Sequence, residues 1–456
     1  MSIGNVMLYI ACAISFAIYL MEKYRKRLYI FSAFNISLFT YCLSLMIAPV
    51  FFKLDSTWNA LGISYAGSMT DYMNKSFMLN GIGFLIFIMI LMISEFYAKK
   101  RKRIINFSIK ISNSISECVI NMCFVFMILF WYMICLRYCN GLPLIKANRT
   151  FYLYTSVSSI YLFLNEGIML CTMYYGITTI YRKKNMLFLF LGVFTVAMQG
   201  NRSSLFSNLL APLIIIYIYH KQREKIIRSL KNYHKGGNIN KHIYKTFKSL
   251  LRSSSRKLIF ALLIIFVVAV IWQFIRNGRF GNITILSIFD EIINGNTFSD
   301  FRDGAYILKG FERKTNGSFL FGKTYLAAII SFIPSSISSF RQTWSWGRYT
   351  TYGLFGYIYH FGLRGGNAME AYINFGWLGV VVMCSLQGYF AGMVENIFYE
   401  LFIINTREIT GKEYFLADVF SVMYGVICIS SGAYNVYAIL VLIFAMIAIT
   451  SLLRDR

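Results

Sequence analysis

Proline is scarce in this chain, with 4 in 456 residues, and charge is thin, with Asp, Glu, Lys and Arg together making 14%. The missing prolines leave long stretches free to run as unbroken helix, because proline removes a helix donor and clashes with the preceding turn. So little charge excludes an ordinary soluble domain, in which about a quarter of residues are charged. Acidic residues are the rarest part of it, 19 against 45 Lys and Arg. The 9 cysteines show no CxxC spacing. Cys135 and Cys139 lie four apart without an accompanying His or second Cys pair, so neither a zinc site nor a disulfide framework is expected. DxD, HExxH, Walker and Ser-elbow patterns are also missing, which disfavours metal-dependent or nucleotide-driven chemistry and predicts no metal and no cofactor. No basic segment precedes the apolar stretch Ile3–Met21, so it reads as a retained first span and not as a cleaved signal.

What the chain has is apolar residues, 57% of the total, with 18% aromatic and mean hydropathy +0.57. That composition belongs to a polytopic membrane protein whose spans each need about 20 residues. Eleven candidates follow: Ile3–Met21, Leu28–Phe52, Phe77–Tyr97, Ile115–Leu136, Leu153–Tyr181, Met186–Asn201, Ser203–Tyr219, Leu258–Ile275, Phe375–Glu395, Leu416–Ser431 and Tyr434–Leu452. With the N-terminus outside and the C-terminus inside, 29 of the 45 basic residues fall on the inner side, including every dense run. Positive charge on cytoplasmic loops is the rule for such proteins, so the net charge of +26 reads as topogenic. Segment 220–257, with twelve Lys and Arg against Glu224 alone, suits anchoring to anionic lipid heads. It carries no nucleic-acid-binding motif, and no nucleic-acid partner is expected.

The expected fold is therefore an all-α polytopic membrane protein of about 11 transmembrane helices, in three parts. Residues 1–275 form a bundle of about eight spans, 276–374 a large outer loop with short helices, and 375–456 about three closing spans. The loop contains Tyr325–Ile333, too short and too apolar for anything but an interfacial or re-entrant segment. Trp344, Trp346 and Trp377 fit the headgroup layer, where amphipathic rings settle.

The loop also carries the candidate chemistry. Its ten basic residues outnumber six acids, against the usual outer-side bias, and this balance suits an anionic substrate. Arg202, in GNRSS at an outward turn between two short spans, reads as a snorkelling interfacial arginine or as a bidentate phosphate clamp. Arg341, Arg348 and Arg364 are further anion-binding candidates. His360 is the one histidine on the outer side; it is either packed among aromatics, or a general base or phosphate contact. Glu370 is either a base for a sugar hydroxyl or a structural ion-pair partner, with Arg364 at hand. Gly365 and Gly366 would let the backbone turn sharply beside a ligand.

Three stretches, GKTYLAAIISFIP (322–334), GGNAMEAYINFGWLG (365–379) and GNRSSL (200–205), give the chain a resemblance to the O-antigen polymerase (Wzy-type) family of bacterial inner-membrane proteins. The resemblance implies a multi-pass protein with a periplasmic active site, working in lipopolysaccharide biosynthesis. Its substrates would be undecaprenyl-pyrophosphate-linked oligosaccharides, as donor and as acceptor, with membrane lipids and a chain-length regulator protein as partners. Within that reaction Arg202, Arg341, Arg348 and Arg364 would hold the leaving diphosphate. Glu370 or His360 would act as base, and Trp344, Trp346 and Tyr349 would stack on sugars. An O-antigen ligase and a flippase for lipid-linked sugar are the competing expectations.

Overall fold

The computed structural model describes residues 3–25, 38, 41–42, 45–46, 69–100, 117–144, 157–181, 185–200, 203–210, 213–214, 264, 268, 299–330, 333, 337–357 and 362–399. Among these residues every regular element is helical. Four helices are long and apolar enough to cross a membrane, with apolar windows at Asn5–Glu22, Thr70–Ser94, Cys118–Cys139 and Gly366–Gly392. They correspond to the first, third, fourth and ninth expected spans. The second, eighth, tenth and eleventh lie wholly or mostly outside the described residues.

The chain divides into two compact units. The first comprises 1–112, 284–406 and 420–456. Its described elements are α1 (Ile3–Arg25), α2 (Thr70–Lys100), α6 (Ser299–Thr315), α7 (Lys323–Ile329), α8 (Ser339–Trp344) and α9 (Gly366–Tyr399). Between α8 and α9 come a helical turn at Trp346–Arg348 and a π-helical turn at Tyr349–Gly353. The second unit, 113–283 and 407–419, contains α3 (Glu117–Ile134), α4 (Ser158–Tyr181) and α5 (Met186–Met198).

In the first unit α2 is the hub, packed on α1, α6 and α9. Apolar residues run all round it, as befits a helix enclosed by helices and lipid. Lipid is as apolar as leucine, so the α2–α9 pair must be held by close backbone approach and polar contacts. Both occur: a Cβ on Gly388 would lie 2.5 Å from the Phe87 carbonyl, and Ser94 Oγ donates to Tyr389 O at 3.0 Å.

Where it is described, the segment 276–374, expected as an outer loop, does not stand apart from this bundle. Helix α6 buries Phe301, Ala305, Tyr306, Leu308 and Phe311 against the core shared with α2 and α9, and leaves Arg313 and Lys314 exposed in its last turn. Cations there suit the negative end of the helix dipole. Ser76 Oγ of α2 donates to Phe301 O at 2.8 Å, and Lys75 pairs with Glu312 at 3.1 Å.

In the second unit α3 and α4 are tied by side-chain hydrogen bonds. Trp131 Nε1 donates to Asn165 Oδ1 at 2.7 Å, and Tyr175 OH donates to Asn121 Oδ1 at 2.6 Å. Helix α5 has 13 residues, short of the expected span Met186–Asn201, and is followed by a π-helical stretch at Ser203–Leu210.

Candidate functional site

Helix α9 is broken within its own length. Phe375 (φ −140°, ψ 15°) and Gly376 (φ 64°, ψ −152°) leave helical geometry, so a short segment 366–374 precedes a long apolar one. Gly376 permits the turn because a positive φ costs glycine nothing sterically. The expected ninth span, Phe375–Glu395, thus starts at the break, while the helix itself begins earlier, at Gly366.

A break in a helix frees carbonyls that the next turn would have used, and buried carbonyls need donors. They are supplied by the stretch leading into α7. Leu320 N–H donates to Ile373 O at 3.1 Å, and Phe321 N–H donates to Asn374 O at 2.9 Å. Gly322, with φ 84°, then starts α7 where a Cβ would lie 2.9 Å from the Phe375 ring. Tyr325 stacks on Phe375, the rings 6.3 Å apart and 5° from parallel. Two stretches distant in sequence, 322–334 and 365–379, therefore meet at the break.

Side chains close the junction. Thr324 Oγ1 donates to Glu370 Oε1 at 2.8 Å and accepts from Asn374 Nδ2 at 2.7 Å; the same amide donates to Glu370 O at 2.8 Å. Thr324, Glu370 and Asn374 are all buried, Glu370 being 1% exposed. Burial, and then the Glu370 charge, push the Tyr325 phenol well above the ordinary tyrosine range. Glu370 was expected to face a sugar hydroxyl or to pair with Arg364. In this conformation it is enclosed and bonded to Thr324, which makes it a fastener between α7 and α9.

Arg364 is exposed, and its backbone N–H donates to Asp303 Oδ2 at 3.2 Å. Asp303 Oδ1 lies 3.7 Å from Arg302 Nε, both side chains being buried in α6. Burial pulls the Arg302 guanidinium below its usual range, and Asp303 acts against that shift. In the sequence Arg302 and Asp303 stand only among the ten basic and six acidic residues of 276–374. The available signal was an adjacent opposite-charge pair inside a helix whose flanking residues are apolar.

The remaining expected residues fall into two groups. Trp344, half-buried, stacks on Tyr349 at 5.6 Å and lies under the Lys323 ammonium at 4.5 Å. Trp346 and Tyr349 are core residues at 8% and 4% exposure, so neither presents a face for sugar stacking here. Burial also raises the Tyr349 phenol. Arg341 is half-buried, with Nη1 donating to Ile333 O, whereas Arg348 is exposed and lies 5.2 Å from the Tyr352 ring. His360 and Arg202 lie outside the described residues. Thr350 Oγ1 accepts from Leu363 N–H at 3.0 Å. Gly366 starts α9 with φ 77°, the sharp turn expected there, and a Cβ would lie 2.6 Å from Asn80 Oδ1, so its smallness also serves helix packing.

Comparison with known protein families, curated proteins and solved structures finds no match to this chain.

Proposed function

We propose that this protein is a metal-independent membrane glycosyltransferase of the O-antigen polymerase type. It would move a growing glycan from undecaprenyl pyrophosphate to the terminal sugar of a second lipid-linked repeat unit, at the periplasmic face of the inner membrane. The acceptor hydroxyl oxygen forms a bond to the anomeric carbon, and the bond from that carbon to the diphosphate oxygen breaks. The diphosphate leaves with the electron pair, and the hydroxyl proton passes to a base. The donor carries its own leaving group, so the protein needs cations for the diphosphate and a proton acceptor.

The observation that carries this reading is the junction itself. The stretches 322–334 and 365–379, on which the resemblance rests, dock on each other through Thr324, Glu370 and Asn374. The exposed Arg348 and Arg364 belong to the same unit and are suited to a membrane-anchored diphosphate. Glu370 acts as the residue that positions the loop, and His360 is the base to test first. Trp344 is the aromatic best placed to meet a sugar, being half-buried where Trp346 and Tyr349 are enclosed.

The deciding experiment incubates the purified full chain with defined undecaprenyl-pyrophosphate-linked repeat units, without nucleotide or added metal. Polymer of several units supports the proposal. Absence of polymer, with glycan instead transferred to lipid A-core or moved intact across the bilayer, would make the chain a ligase or a flippase. In cells the same distinction is read from lipopolysaccharide: loss of a polymerase leaves core capped by one unit, and loss of a ligase leaves bare core.

A further inference from the structure

Helix α7 is apolar on both of its faces. Thr324, Ala327 and Ala328 are buried inward, while Lys323, Leu326 and Ile329 are exposed at the three-residue spacing that puts them on one outward face. Leu326 and Ile329 are each 49% exposed, and Phe321, two residues before the helix, reaches 77%. Large apolar side chains exposed together mark a surface that contacts something other than water.

The depth of this face is set by its attachment to α9. Gly322 and Tyr325 both pack on Phe375 at the helix break. Two residues past Phe375, Trp377 is 40% exposed, and beyond it Leu378, Val381 and Val382 are exposed along the apolar segment. An exposed Trp at the start of an exposed apolar run is the pattern of a span leaving the headgroup layer. Helix α7 is fixed at that same level. Its single exposed cation, Lys323, holds its ammonium over the half-buried Trp344 ring, an arrangement that puts charge at the rim of the apolar face. Among the described residues Lys323 makes no ion pair.

We infer that the outward face of α7, with Phe321, is seated in the adjoining leaflet of the bilayer, and that Lys323 there contacts the phosphate of an anionic phospholipid. Seating of this kind scales with buried apolar area and with attraction to anionic heads. It would keep the Thr324–Glu370 junction at headgroup depth. The inference concerns bulk lipid and does not depend on the glycosyltransferase reading.

The test places the photoreactive residue p-benzoylphenylalanine at Leu326 or Ile329 of the full chain, in nanodiscs of mixed phosphatidylcholine and phosphatidylglycerol. Val381, on the exposed side of α9, is the positive control, and Arg313, at the exposed end of α6, is the aqueous one. Illumination should give lipid adducts at 326 and 329 as abundant as at 381, with none at 313. Adducts at 381 but not at 326 and 329 would overturn the seating, and so would protein–protein cross-links there, which would mean that a second copy covers the face. A cation at the bilayer surface favours anionic lipid about fivefold. Lys323→Gln should therefore lower phosphatidylglycerol enrichment in the adducts by about that factor. An unchanged lipid ratio would remove the phosphate contact.

Discussion

Thr324 Oγ1 donates a 2.8 Å hydrogen bond to Glu370 Oε1 across 46 positions of the chain, and takes one in turn from Asn374. One hydroxyl thus serves as both donor and acceptor at a buried junction, and its loss leaves a carboxylate and an amide short of a partner together. Unsatisfied buried groups cost about 1–3 kcal/mol each, more when charged. Thr324→Val keeps the shape and removes both bonds. It should lower the thermal unfolding midpoint in detergent by several degrees and abolish polymer formation, while Thr324→Ser should retain most of both. A Thr324→Val protein as stable and as active as the native chain would show that the junction is incidental.

The same residues show how far the sequence could be read. Long apolar runs made the helices around 3–25, 70–100 and 366–399 legible, with a basic cluster closing the first two, because hydropathy and charge bias act along the chain itself. The short apolar segment beginning at Tyr325 was legible as non-spanning from its length. The break at Phe375–Gly376 was not, since a glycine inside an apolar helix is common and its carbonyl caps, Leu320 and Phe321, lie about 55 residues upstream in sequence, a separation no local pattern encodes. For the site, Arg341, Arg348 and Arg364 were legible as cations of one segment, but not that Arg348 and Arg364 are exposed while Arg341 is half-buried. The enclosure of Glu370, Trp346 and Tyr349 follows from packing of α7 and the 346–353 turns, and residue type does not report it.

Asp303 sits between a buried cation and an exposed one. It lies 3.7 Å from Arg302 Nε and accepts the backbone N–H of Arg364. Removing one partner of a buried ion pair typically costs about 3–5 kcal/mol, because the other charge stays in low dielectric. Asp303→Ala should therefore unfold at a much lower temperature than the native protein. Glu312→Gln is the contrast: its pair with Lys75 is 42% and 30% exposed, and an exposed pair contributes about 0–1 kcal/mol. Equal destabilisation by the two substitutions in the same unfolding assay would contradict the burial argument.

Arg364 separates function from fold. Its side chain is exposed, so Arg364→Ala should change stability by no more than about 0.5 kcal/mol. If the guanidinium neutralises the leaving diphosphate, polymer yield from lipid-linked units should fall about 100-fold or more, as for loss of one preorganised donor to a developing anion. His360→Ala, measured beside it, should lose activity with a changed pH profile if it is the base. A full-length glycan ladder from Arg364→Ala would remove this arginine from the chemistry.

Gly376 tests the break in α9 with two separable costs. Its φ of 64° strains any residue with a Cβ, and that Cβ would lie 2.9 Å from the Phe319 ring. The backbone term amounts to about 1–3 kcal/mol, since φ 64° with ψ −152° is a conformation essentially restricted to glycine, and the steric term adds to it. Gly376→Ala should lower the unfolding midpoint, and Phe319→Ala on top of it should relieve the clash but not the backbone strain. A double-mutant cycle in the same detergent therefore expects a favourable coupling between positions 319 and 376, with the pair still less stable than Phe319→Ala alone. If the double variant recovers the stability of Phe319→Ala, the left-handed turn is not held in the folded protein, and α9 runs straight past Phe375. In that case the carbonyls of Ile373 and Asn374 would return to their own helix, and Leu320 and Phe321 would lose the acceptors that dock the loop.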